Sequence, residues 1–239
     1  RPAALAIYVL GIAVMFGAYL WALRLTRHVH SSRVLAPVVC TGVVATLTIA
    51  SMYPVNAIDL FIYAVRSRIF TAYGQNPQVA TPSQFPGDPY MAFSSAEWSV
   101  TGSPYGPLWN LIAAPITALT GENLTAALFG FKVLAVISVF VGAWLIGLTL
   151  QSYRLPVAAG VLLYLWNPLV LWEGVGNGHN DTVMMVPILA AMLAWSRGRD
   201  RWVIPLLVVA ACIKYVAVLA VPVAVVAIWR RQQPSTRLN

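Results

Sequence analysis

The 239-residue chain is 59% hydrophobic and 9% charged, with a mean hydropathy of +0.75, whereas about 25% of residues are charged in an ordinary soluble domain. This excludes a soluble enzyme, and with Cys40 and Cys212 both inside apolar runs it also argues against a disulfide framework. The formal net charge of +8 does not point to nucleic acid, because the arginines cluster at the ends of apolar runs, where membrane insertion places them.

Apolar runs extend from Ala3 to Leu23, Val34 to Tyr53, Leu124 to Leu150, Pro156 to Trp172, Val183 to Trp195 and Trp202 to Trp229. A helix needs about 20 apolar residues to cross a bilayer, and these runs do not alternate as barrel strands do. The expected fold is an all-α polytopic membrane protein of about six to eight transmembrane helices, with residues 1–239 forming a single transmembrane module. The first residue is Arg1, and nothing near it resembles a signal peptide. The expectation is therefore a chain that begins inside a longer reading frame.

Arg24, Arg27 and Arg33 flank the first connection, Arg197, Arg199 and Arg201 crowd another, and Arg230, Arg231 and Arg237 follow the last run. The positive-inside rule makes these segments cytoplasmic. Residues 54–106 and the patch Glu173 to Asp181 then lie on the extracytoplasmic side of the cell membrane. The short piece Leu108 to Leu119, with Asn110 and Pro115, reads as an interfacial or half-crossing helix. Arginines at both ends of residues 202–229 favour a hairpin bending near Lys214 and Tyr215 over a single crossing.

The external loop opens with helical spacing. Ile58, Ile62, Val65 and Ile69 share one side, and Asp59, Tyr63 and Arg66 share a neighbouring one. This predicts a juxtamembrane helix lying apolar side down. Glycines and prolines follow, interspersed with Tyr73, Tyr90, Trp98, Tyr105 and Trp109. Such a segment suits a cover over a ring-shaped polar ligand, or an aromatic belt at headgroup level.

Three polar features stand against this background: Asp59 with Tyr63 and Arg66, the Glu173–Asp181 patch, and Lys214. A charge inside a span costs about 2.5–3.5 kcal/mol on insertion scales and marks a functional candidate. Lys214 has no acid within helical reach. Its counter-charge is either a phosphate at the membrane boundary or a distant acid. Lys132 lies near a span end, where snorkelling to the interface is expected. Asp59 is open to four readings: general base, metal ligand, helix cap or partner of Arg66.

His179 and Asp181 offer metal-ligand atoms, but HExxH and a cysteine pair are absent, and His28 and His30 belong to the opposite face. No cofactor is expected, with a divalent metal at these side chains left as the weaker reading. There is no Gly-rich phosphate loop, which favours a lipid-borne donor over a nucleotide sugar.

Three strings carry a family likeness: Asp59-Leu-Phe-Ile-Tyr63 with Gly74-Gln-Asn-Pro77; Trp98 with Ser103-Pro-Tyr-Gly-Pro-Leu108; and Asn167-Pro168 leading to Gly178-His-Asn-Asp181, Met184 and Met185. In order and spacing the chain resembles the membrane-embedded, polyprenyl-phosphate-sugar-dependent glycosyltransferases of the C superfamily. Within that group it is most similar to the actinobacterial alpha-1,6-mannopyranosyltransferases. The resemblance implies an inverting transfer of a sugar, mannose by analogy, from a polyprenyl-phosphate donor to a glycan or glycolipid acceptor at the outer face of the bilayer. Asp59 matches the base. Lys214, Arg66 and His179 would hold the donor phosphate, while Tyr63, Tyr105, Asn180 and Asp181 would contact sugar.

Where such enzymes often have Gly-x-Asp-Pro-Tyr, this chain has Gly74-Gln-Asn-Pro-Gln78. It is also about half their usual length, so C-terminal spans are expected to be missing. The competing readings are a transporter or channel, with ion sites in broken helices, and a non-catalytic subunit that binds a lipid-linked sugar.

Overall fold

The computed structural model describes residues 2–29, 31–54 and 58–233. His30 and Arg237, assigned above to cytoplasmic segments, fall outside them, as does the stretch 55–57 just before Asp59. The described regular structure is helical: α1 (Pro2–Thr26), α2 (Leu35–Ser51), α3 (Asp59–Thr71), α4 (Ala96–Ser99), α5 (Pro107–Thr120), α6 (Leu124–Ser152), α7 (Val157–Leu165), a π-helical segment (Val170–Gly176), α8 (Asp181–Ser196), α9 (Val203–Ile213), a 3-10 turn (Tyr215–Leu219) and α10 (Ala220–Gln232).

Among the described residues, three stretches are long and apolar enough to cross a membrane: Leu5–Thr26, Leu124–Ser152 and Tyr215–Gln232. Val157–Leu165 and Val170–Gly176, bent by 54° at the break between them, make a fourth if counted as one span. Pro168 explains the break. It has no N–H to donate, and the Asn167 side-chain oxygen accepts from the Leu169 amide (2.9 Å), starting the next segment as a turn.

The Asn123 side chain caps the start of α6 by accepting from the Ala126 amide (3.0 Å), and α6 then runs through the middle of the molecule. Its buried positions Phe131, Ala135, Val139 and Ala143 face two clusters. One gathers Leu60, Tyr63, Trp109, Met184 and Ala210 from α3, α5, α8 and α9. The other gathers Tyr19, Val38, Leu162, Leu165 and Val175 from α1, α2, α7 and the π segment. Among lipid tails such packing is held by close contact and hydrogen bonding, since apolar surface gains little by leaving lipid.

α3 does not lie apolar side down. Leu60, Ile62 to Ile69 inclusive are buried, because α5 and α6 cover one flank and the following loop covers the other. The loop is pinned by an ion pair from Arg68 Nε to Asp88 Oδ2 (2.7 Å). Arg68 Nη1 also donates to the Gly121 carbonyl (2.6 Å), and Tyr73 donates to the same Asp88 oxygen (2.9 Å).

Lys132 does not snorkel either. It is 1% exposed, and its ammonium donates to the carbonyls of Ile49 and Met52 at the C-terminal end of α2. The Ile49 carbonyl also accepts from the Met52 amide (3.2 Å), so the buried cation adds a donor at a helix terminus whose partial negative charge favours it.

Residues 203–232 form a hairpin. α9 stops at Lys214, whose extended backbone (φ −144°, ψ 120°) cannot continue a helix. α10 then returns, so that Arg231 Nη1 meets Asp200 Oδ1 (3.1 Å) and the Trp195 carbonyl (2.9 Å) beside the start of α9. The basic connections collect at this end. One cavity wall joins Leu35, Gln151 and Val157, and another joins Tyr153, Trp195, Val203 and Ala227, both around the C-terminal end of α6. The start of α8 and the tip of the hairpin at Lys214 lie at the other end.

Candidate active site

Asp59 occupies the first turn of α3, and the residue before it, Ile58, makes no side-chain cap. The carboxylate of Asp59 accepts a hydrogen bond from Tyr105 Oη at 2.5 Å on Oδ1. Its other oxygen lies 3.6 Å from His179 Nε2, and its side chain is 30% exposed. One oxygen is thus fixed by Tyr105, and the side chain as a whole is partly exposed.

His179 sits between carboxylates. Its Nε2 is 3.7 Å from Glu173 Oε2 and its Nδ1 is 4.0 Å from Asp181 Oδ2. Asp181 accepts from Lys214 Nζ at 2.7 Å, 33 residues away in sequence. The distant acid is therefore the observed partner of Lys214. An ammonium has three donors, so this pairing leaves Lys214 able to bind an anion as well. The line Tyr105, Asp59, His179, Asp181, Lys214 joins α3, the loop before α5, the loop before α8 and the hairpin tip.

Local sequence explains how these pieces meet. Gly178 has φ +65°, a conformation that side chains rarely adopt, and a Cβ there would lie 2.6 Å from Leu60 Cδ2. The loop carrying His179 can therefore press against the first turn of α3. Gly106 is the second required glycine. Its amide donates to the Ile213 carbonyl (3.0 Å), one of those freed where α9 breaks, and a Cβ on it would lie 2.0 Å from the Cys212 carbonyl oxygen. Pro107 then starts α5, where a missing N–H costs nothing. Gln78 adds a bridge, donating to the Tyr105 carbonyl (2.9 Å) and accepting from Tyr215 Oη (3.2 Å).

The eight site residues expected from sequence divide into two groups. Asp59, His179, Asp181 and Lys214 form the partly exposed cluster. Tyr63, Tyr105, Arg66 and Asn180 are buried beneath it. Tyr63 Oη accepts from the Asn180 amide (3.2 Å), and its ring meets Tyr105 and Trp109 edge-on, with centroids 5.0 and 4.7 Å away.

Arg66, 2% exposed, donates to the carbonyls of Trp98 and Thr101 (both 3.1 Å) and to the Thr101 hydroxyl (2.9 Å). Its Nε and Nη1 have no hydrogen-bond partner among the described residues, nor do the side-chain atoms of Asn180. Burial pushes the Tyr63 and Tyr105 hydroxyls well above their ordinary value, and Asp59 adds to the rise at Tyr105. Both remain protonated donors at neutral pH. Burial also lowers the Arg66 guanidinium from its usual value.

Glu173 belongs to this cluster but carried no assigned role in the sequence reading. Its signal in the sequence is that it opens the polar patch ending at Asp181, and in the structure Asn177 Nδ2 donates to Glu173 Oε2 (2.9 Å). Among the described residues, no three His, Cys, Asp or Glu side chains are placed to hold a metal ion.

The model of the family described as alpha-(1->6)-mannopyranosyltransferase, N-terminal domain, matches residues 1–230. The chain belongs to this family. Curated alpha-(1->6)-mannopyranosyltransferase relatives include the A protein of Corynebacterium glutamicum, 27% identical over 172 residues (72% of this chain, 35% of that protein). The B protein of the same organism is 26% identical over 150 residues (62% and 25%), and the A protein of Mycobacterium tuberculosis 28% over 189 residues (74% and 34%). The matched stretches cover about a quarter to a third of these curated relatives' own length. No solved structure matches it significantly. Within the alpha-(1->6)-mannopyranosyltransferase N-terminal domain as this chain folds it, the cluster around Asp59 and His179 joins the three strings singled out in the sequence.

Proposed function

We propose that the protein transfers mannose from a polyprenyl-phosphate donor to a glycan or glycolipid acceptor, with inversion, at the extracytoplasmic face of the cell membrane. The observation that carries this reading is the Asp59 carboxylate, anchored through one oxygen by Tyr105 with the other facing His179. Membership of the alpha-(1->6)-mannopyranosyltransferase family supports the sugar and the reaction class. The basic connections at one end of the helices, opposite the Asp59 cluster, support the orientation, with about six to eight crossings.

In the reaction, Asp59 takes the proton of the acceptor hydroxyl as its oxygen attacks the anomeric carbon. The bond from that carbon to the phosphate oxygen breaks, and its electron pair leaves with the polyprenyl phosphate. General-base help of this kind contributes about a hundredfold to ten-thousandfold. Lys214 and His179 stabilise the leaving phosphate, and Asp181 orients Lys214 as well as sugar hydroxyls. Tyr63, Tyr105, Asn180 and Arg66 act from below, fixing Asp59 and the loops that carry its neighbours.

The test is transfer of labelled mannose from polyprenyl-phosphate mannose by membranes carrying the protein or its Asp59→Asn variant. The variant is expected to lose about a hundredfold or more of the rate while folding normally. A fully active, folded Asp59→Asn protein removes Asp59 as the base.

A further inference from the structure

No described residue of α10 is buried. The helix leans on α9 and on the turn before it, and between it, α6 and α8 a groove of about 440 Å³ stays open. Sequence accounts for the opening. Ala220, Val223, Ala224 and Ala227 recur at helical spacing on the side of α10 that faces the groove, and three of the four are alanines, which reach too little into the gap to close it. Ala191, Val203 and Leu207 form a buried floor. No charged side chain lines the groove, so its length suits hydrocarbon.

The end of the groove has the opposite character. Arg231 follows Ala227 by one turn on the same face of α10, and its guanidinium lies 4.6 Å from the ring centroid of Trp195, which lines the groove. Its Nη1 donates to the Trp195 carbonyl and to Asp200. An arginine has five donors, so Nε and Nη2 remain available to an anion. Arg154 follows the lining residue Tyr153, and Arg197, Arg199 and Arg201 occupy the turn between Trp195 and Val203. With Arg230 and Arg231 they make six arginines, all exposed, around the single acid Asp200, which is already paired.

Basic pockets between membrane helices hold anionic lipid heads, and Tyr and Trp favour the same headgroup level. We infer that this groove binds an anionic glycerophospholipid from the leaflet at the basic end, with an acyl chain along α10 and the phosphate at Arg231 and its neighbouring arginines. The site lies at the other end of the molecule from the Asp59 cluster, and the inference does not rest on the transfer reaction. The lipid would fasten the returning helix of the hairpin whose tip carries Lys214, because a ligand that binds the folded state stabilises it.

The experiment places the protein in phosphatidylcholine vesicles holding a minor fraction of phosphatidylglycerol with a photoreactive group in its acyl chain. Label is expected on the segments 188–195 and 220–227, several-fold more than from phosphatidylcholine carrying the same group. Arg231→Gln is expected to lower the phosphatidylglycerol label about fivefold, the effect of one basic residue at an anionic surface. Arg27→Gln, just after α1, which packs on α7 instead, is expected to leave it unchanged. Met192→Trp, at an exposed position within the groove, is expected to reduce labelling several-fold.

Equal labelling of the wild type by the two lipids overturns the inference without needing any variant. So does undiminished labelling in a folded Met192→Trp protein. Wild-type label missing from both segments overturns it as well, the groove then being closed by protein rather than by lipid.

Discussion

Tyr105→Phe isolates the contact that distinguishes Asp59 from an ordinary first-turn acid. The substitution deletes one hydroxyl, which donates to Asp59 Oδ1 at 2.5 Å, and keeps the ring that packs edge-on against Tyr63 and Trp109. A hydrogen bond to a charged group contributes about 1.5–3 kcal/mol. If that bond holds the carboxylate in line for proton abstraction, its loss lowers kcat by about 10- to 100-fold. This is smaller than the loss expected for Asp59→Asn, because the base itself remains. KM for the donor is expected to stay constant, since Tyr105 is buried and reaches the reaction only through Asp59. Initial rates of mannose transfer at varied donor concentration separate the two parameters, and thermal unfolding checks the fold. A folded Tyr105→Phe protein with wild-type kcat, or with only KM altered, refutes the reasoning.

Lys132→Met removes the ammonium that donates to the Ile49 and Met52 carbonyls at the end of α2. A loss of about 1–3 kcal/mol is expected, read as a lower unfolding temperature, and an unchanged temperature contradicts the capping role. Gly106→Ala sets a methyl against the Cys212 carbonyl, so the hairpin tip must shift and carry Lys214 with it. About 1–3 kcal/mol of stability is expected to be lost, with transfer reduced in the protein that still folds; full stability and rate count against the docking described. Stability is also expected to depend on alkaline pH. The hydroxyls of Tyr63, Tyr90 and Tyr105 are raised in the folded state, by burial foremost. Their contribution is therefore intact below the unfolded value of about 10 and falls as pH rises beyond it. Unfolding midpoints measured across that range are expected to drop, and the drop is expected to shrink in Tyr63→Phe.

The helical membrane character was legible in the chain itself, because long apolar runs with arginines at their ends have few alternatives in a bilayer. The hairpin at Lys214 was legible for the same reason: one crossing would have put arginines on both faces. Asp59, His179, Asp181 and Lys214 stood out as polar groups in an apolar chain, and the order of three short strings carried the family.

Sequence could not decide which of these groups face a ligand and which support them. Helical spacing set Asp59, Tyr63 and Arg66 on one side, yet burial separates the partly exposed carboxylate of Asp59 from the sequestered Tyr63 ring and Arg66 guanidinium beside it. Nor could local pattern show that Lys214 pairs with an acid 33 residues earlier, or that Lys132 caps α2 rather than reaching the interface. Both outcomes depend on contacts between elements far apart in the chain. The same holds for the amphipathic pattern of α3, which suggested a surface helix. Periodicity measures how polarity is distributed around an element, whereas burial depends on what packs against each side, and that is fixed only when α5, α6 and the loop close over it.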